Sequence, residues 1–169
     1  VYLTAYHMLF NVARIRSGDH VLVHMAAGGV GTAALQLCRT VPGVTTYGTA
    51  SAHKHAYLRE HGCDHPIDYR SLDYADEIRK LTGGRGVNLI LDALGGKDWR
   101  KGYELLAPAG LLIGFGFANM NTAGKLKWWH IVNEGARIPF YTPLKLMGDN
   151  RSISGVNMGH LWGEVALLR

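Results

Sequence analysis

The chain has 169 residues, a formal net charge of +5 and a pI of about 9.3. Hydrophobic residues make up 47% and charged residues 18%, the composition of one globular domain with a real core, too short for two. No apolar stretch reaches the roughly 18 residues of a membrane span, and the 18 Lys and Arg are scattered, never more than two together, which argues against a specific nucleic-acid site.

The chain starts at Val1 without an initiator Met and reads as an excerpt of a longer protein. Cys38 and Cys63 form no CxxC pair and no metal-finger pattern, which fits a reducing compartment.

Taken in order, Thr4 to Ile15 has helical spacing with Thr4 as N-cap, broken by Ser17-Gly18-Asp19. His20 to Met25 is a short β-branched strand running into Gly28, Gly29 and Gly31. A helix over Val30 to Thr40 closes at Pro42-Gly43. Strand Val44 to Thr49 precedes helix His53 to His61; weak strand Asp64 to Asp68 precedes helix Tyr74 to Leu81. After the glycine turn at 83–86, V-N-L-I-L-D-A-L is the clearest strand. Helix Trp99 to Leu106 stops at Pro108, and Gly110 to Gly116 is a fifth strand. Beyond it, Lys125 to Gly135 and Thr142 to Met147 read as helices, Arg151 to Met158 as a sixth strand, and Trp162 to Leu168 as the start of a helix. Alternation at this spacing predicts a Rossmann-type α/β fold spanning 1–169: a doubly wound parallel sheet of about six strands with helices on both faces.

The glycines sit where the first strand hands over to a helix. Two explanations fit: a turn needing positive φ, or a phosphate drawn to the bare helix N-terminus. Inside a βαβ series, Ala26-x-Gly28-x-x-Gly31 becomes a dinucleotide fingerprint with alanine in the first position. Gly28 lets a pyrophosphate touch the backbone, and Gly31 lets the helix pack closely on the strand. An NAD site places an acid at the end of the second strand; here it ends Y-G-T-A-S-A-H-K, without one. Ser51 and Lys54 suit a 2′-phosphate, which points to NADPH. Read blandly, Ser51 caps the next helix and Lys54 is a solvated residue. His53 and His55 flank that site and are expected to face solvent.

With T-A-Y-H-M-L upstream and L-D-A-L-G-G downstream, A-A-G-G-V-G resembles the zinc-free quinone oxidoreductases of the medium-chain dehydrogenase/reductase superfamily. The stretches V-L-V-H-M-A-A-G-G-V-G, G-T-A-S-A-H-K-H and H-P-I-D-Y are similar to the vesicle amine transport protein homologues within that group. The resemblance implies a cofactor domain separated from an N-terminal catalytic domain and from the protein's last part. It implies that Gly28, Gly29, Val30 and Gly31, with Ala27 in the same loop, hold the pyrophosphate. Lys54 and Tyr69 match positions near the adenosine 2′-phosphate, and Thr4 one near the nicotinamide carboxamide. Gly116, Phe117 and Asn119 match a loop lining the nicotinamide. Asp92 either faces the cofactor crevice or caps the loop at Gly95-Gly96, and the residues leave both readings open.

The implied activity is hydride transfer from NADPH to a quinone or an α,β-unsaturated carbonyl, with no catalytic side chain assigned and no metal. The zinc-free expectation rests on the resemblance alone. The rival is a nucleotide-binding interaction protein with little turnover. A cytoplasmic location is expected, with peripheral attachment to membranes left open, and a homodimer through residues 151–158.

Overall fold

The computed structural model describes residues 1–116, 118, 139–161 and 163. Six parallel strands form one sheet in the order β3-β2-β1-β4-β5-β6. They are β1 (His20–Val23), β2 (Thr45–Ala50), β3 (His65–Asp68), β4 (Val87–Asp92), β5 (Leu106–Gly114) and β6 (Ser152–Gly155). The helices are α1 (Tyr2–Tyr6), α2 (Gly29–Cys38), α3 (His55–Glu60), α4 (Tyr74–Leu81), α5 (Lys97–Leu105) and α6 (Pro143–Asp149).

Strand alternation explains the apolar runs. In β1, Val21 and Val23 join a core with Ala33, Ala34 and Leu35 of α2, whereas Leu22 faces the opposite core with Ile78 of α4. In β4, Leu89 and Leu91 take the α2 side and Ile90 the α4 side. A strand covered on both faces needs apolar residues at every position. The amphipathic α4 buries Tyr74, Ala75 and Ile78, and its N-cap Asp73 accepts from the backbone N–H groups of Ala75 and Asp76.

Two expectations are corrected. Val1, not Thr4, precedes the first helix; Thr4 lies inside α1, which continues as a π-helical turn over His7–Val12. There the Ala13 N–H donates to the Met8 carbonyl, five residues back, and His7 Nδ1 lies 3.2 Å from Asn11 Nδ2. Pro108 does not separate α5 from the fifth strand: α5 ends at Leu105 and β5 starts at once at Leu106. The strand takes up Pro108 at an irregularity between Val87 and Leu89, with Ala109 at φ 61°. Proline lacks the N–H a regular ladder needs, so it is carried where the pairing slips. The expected helices over 125–135 and 162–168 lie, wholly or in their greater part, outside the described residues.

The remaining expected elements hold within a few residues, and Thr142 caps α6 by accepting from the Lys145 N–H. Cys38 and Cys63 are both buried free thiols, each pushed up to about 12 by burial.

At Gly31, α2 lies close against the loop that follows β1. A Cβ there would stand 2.6 Å from the Met25 carbonyl oxygen and 2.7 Å from the Ala26 Cα, all backbone. Gly31→Ala is therefore expected to destabilise the fold by roughly 1–3 kcal/mol through overpacking, read as a lower urea midpoint at unchanged m-value.

Candidate functional site

All six strands run parallel, so their carboxyl ends share one edge of the sheet. The order reverses between β1 and β4, and a crevice opens there. The β1–α2 loop stands over this switch point.

None of Gly28, Gly29 and Gly31 has a positive φ; in this loop the left-handed conformation falls to Met25, at φ 51°. The turn therefore does not require these glycines for its backbone angles. Gly31 is needed for packing, and Gly28 and Gly29 leave an exposed, bare surface at the start of α2. Gly28 sits at the N-cap in extended conformation, with no side-chain hydrogen bond to the first turn. The N–H groups of Gly29, Val30 and Gly31 thus begin a ten-residue helix uncapped by any side chain. Such a cradle fits an anionic pyrophosphate.

The other expected residues fall around the same edge. A Cβ at Gly29 would meet Val1 Cγ1 at 3.0 Å, so the α1 turn that carries the half-buried Thr4 starts beside the loop. Ala27 is half-buried between β1 and the glycines. Gly116 follows β5, where a Cβ would stand 3.0 Å from the Ala93 carbonyl oxygen. Phe117 and Asn119 lie outside the described residues. Ser51 is buried at the end of β2, and its side chain makes no cap hydrogen bond, so the capping reading fails. Its carbonyl instead accepts from the Lys54 N–H at 2.9 Å, leaving the Lys54 side chain exposed. His55 is half-buried rather than solvent-facing, and its Nε2 is enclosed without a hydrogen-bond partner. Tyr69 is exposed just past β3.

Of its two readings, Asp92 takes the one that ties the loop. Its Oδ1 accepts from the N–H groups of Leu94 and Gly95 at 2.6 and 2.9 Å, tying the turn after β4. Its Oδ2 is fully buried with no hydrogen-bond partner. Beside it on β1, the His24 N–H donates to the Leu91 carbonyl. His24 is 1% exposed, its Nδ1 lies 3.1 Å from Thr49 Oγ1, and its Nε2 is also unpartnered. Burial holds the His24 imidazole below its usual pKa, against the opposing pull of Asp92 and Asp98.

His24 and Thr49 floor a cleft of about 680 Å3, walled by Tyr69, Arg70, Leu94 and Lys101. The size and the mixed lining suit one half of a dinucleotide. Sequence reading missed His24, whose only signal was a polar residue ending an apolar strand. It also missed Asp68, which the register sets level with Ala50 at the end of β2. The Asp68 oxygens already accept from the Arg70 N–H and the Ser71 hydroxyl, chiefly the former holding the carboxyl below its usual range.

The fold and this edge define a nucleotide-binding dehydrogenase domain. The pattern of the family described as zinc-binding dehydrogenase matches residues 29–167, and the chain belongs to that family, within the medium-chain dehydrogenase/reductase superfamily. It is 48% identical over 174 residues to the rat synaptic vesicle membrane protein VAT-1 homolog, covering 99% of this chain and 41% of that protein. It thus spans well under half of that relative's length. The nucleotide-binding subdomain of the enoylreductase domain of PpsC from Mycobacterium tuberculosis superposes with a TM-score of 0.79 at 33% identity, covering 99% of this chain and 86% of that one. A quinone oxidoreductase of Pseudomonas syringae gives 0.75 at 26% identity, covering 98% and 46%.

Among the described residues no three His, Cys, Asp or Glu side chains are grouped to hold a metal ion, and no helix is long and apolar enough to cross a membrane.

His24 gives the site a pH signature. The unfolded chain protonates this imidazole near pH 6.5, whereas the native state resists the proton until lower pH. Its contribution to stability is complete above about 6.5 and is lost as the pH falls below that value. Urea unfolding at pH 7 and pH 5 should show a smaller acid loss in His24→Gln than in the parent.

Proposed function

We propose that this chain is the NADPH-binding part of a reductase that delivers hydride to a quinone or an α,β-unsaturated carbonyl without zinc. The observation that carries the reading is the uncapped, glycine-lined start of α2 at the sheet's switch point, beside a cleft of matching size. Nicotinamide, when bound, supplies the hydride chemistry.

The chain's own residues bind and orient. The first-turn N–H groups of α2 take the pyrophosphate, and the cleft over His24 and Thr49 takes the adenosine half. Thr4, Gly116, Phe117 and Asn119 belong to the nicotinamide end. No acid ends β2; Ser51 and Lys54 stand there instead, and they favour a 2′-phosphate over a bare ribose hydroxyl. The nearby acid, Asp68, belongs to β3, and each of its oxygens already holds a hydrogen bond.

A second reading has its own observation. Phe140, Leu144 and Met147 are 88%, 79% and 76% exposed on and beside α6, an apolar face that suits a membrane-associated interaction protein. Relatives named as synaptic vesicle membrane proteins favour it. NADPH oxidation by the complete protein across a panel of quinones and enones decides between the two: turnover supports the reductase, and cofactor binding without turnover supports the interaction protein.

Lys54→Ala should weaken NADPH by about 1–3 kcal/mol while leaving NADH unchanged, as expected when a charge-assisted hydrogen bond is lost. Equal losses in a fluorescence titration would remove Lys54 from the phosphate site.

Assembly belongs to the same proposal. Strand β6 pairs with β5 on one side only, so its other edge presents free N–H and C=O groups among the described residues. Residues 151–158 then form a symmetric homodimer. Light scattering at micromolar concentration should give the dimer mass, and Ile153→Pro, which removes an N–H from the strand, should shift it toward monomer.

A further inference from the structure

Two cationic side chains line the cleft over His24, and they differ in what they already do. Lys101 is engaged: its Nζ donates to Asp73 Oδ2 and lies 4.2 Å from the centre of the Tyr74 ring. Arg70 is exposed, and its guanidinium makes no hydrogen bond or ion pair with the described residues. Its backbone is nonetheless held, because the Arg70 N–H donates to Asp68 Oδ1 at 3.1 Å. A fixed main chain with an uncommitted planar cation at the rim of a cleft is suited to an anionic oxygen cluster.

The register says which anion. Asp68 lies level with Ala50 at the ends of adjacent strands, so Arg70 stands two residues beyond the point where β2 turns toward Ser51 and Lys54. Lys54 directly precedes α3 and Arg70 lines the cleft, so the two cations follow the ends of adjacent strands. An extra phosphate near these strand ends has two cations to meet, while the Asp68 oxygens are held by their own turn.

Resting on the NADPH reading above, we infer that Arg70 binds the 2′-phosphate of the cofactor from the cleft side, opposite Lys54, and sets the preference for NADPH over NADH. An arginine here has one other useful role, stacking on adenine, but that contact serves both dinucleotides alike. A merely solvated arginine serves neither.

The experiment titrates the full chain with NADPH, NADH, 2′,5′-ADP and 5′-AMP, following the affinity of the parent, Arg70→Ala and Arg70→Lys. Arg70→Ala should weaken NADPH and 2′,5′-ADP in parallel by roughly 10- to 100-fold, as for a lost charged hydrogen bond. NADH and 5′-AMP should be unchanged. Arg70→Lys should recover part of the loss, since an ammonium keeps the charge without the two-pronged geometry. Added salt should weaken NADPH more in the parent than in Arg70→Ala. Because Arg70 is exposed, the variants should keep the parent's thermal midpoint. Equal weakening of both dinucleotides would overturn the inference in favour of stacking, and an unchanged NADPH affinity would overturn it outright. A parent chain that binds neither dinucleotide would overturn the cofactor reading itself, a result distinct from loss of selectivity at Arg70.

Discussion

The arrangement depends on how closely α2 approaches the end of β1. At Gly31 no side-chain atom fits between the helix and the Met25–Ala26 backbone. To make that approach, the chain turns at Met25 in the left-handed region, and the Met25 carbonyl accepts from the Gly28 N–H at 2.8 Å. The helix then starts without a capping side chain, directly over the switch point. β1 pairs with both β2 and β4, so displacing this junction would disturb both halves of the sheet.

The same edge is where the two apolar cores give way to polar groups. Val23 and Leu91 are fully buried in register, and one residue further on each strand come His24 and Asp92. A buried polar atom without a partner costs free energy; two occur here, His24 Nε2 and Asp92 Oδ2, and His24 lines the cleft. The other Asp92 oxygen does ordinary structural work by holding the turn that carries Leu94 into the cleft wall.

Charge is distributed to match. The cations at the ends of β2 and β3 are exposed, whereas the nearby acids are tied down: Asp68 by its own turn, Asp73 as the cap of α4 and partner of Lys101. At the far edge of the sheet, β6 pairs on one side only among the described residues, and Phe140, Leu144 and Met147 are exposed on and beside α6.

Composition and periodicity by themselves determined the alternation of strands and helices, the parallel sheet and the glycine loop at its first crossover. These are local consequences of apolar spacing and turn chemistry, and α4 was legible to the residue because its acidic cap and amphipathic face agree. Thr4 was misread as a cap because a hydroxyl before an apolar run gives the same local signal inside a helix as at its start. Pro108 was misread because nothing local distinguishes a helix stop from a slip in strand pairing. Only the tertiary structure decided why the glycines are there, since the competing demands for positive φ and for close approach look identical in sequence. It alone set Asp68 beside the end of β2, opened the cleft to Arg70 and closed His24 inside. Those relations join residues on different strands, and strand order and register follow from packing two cores at once rather than from any one segment.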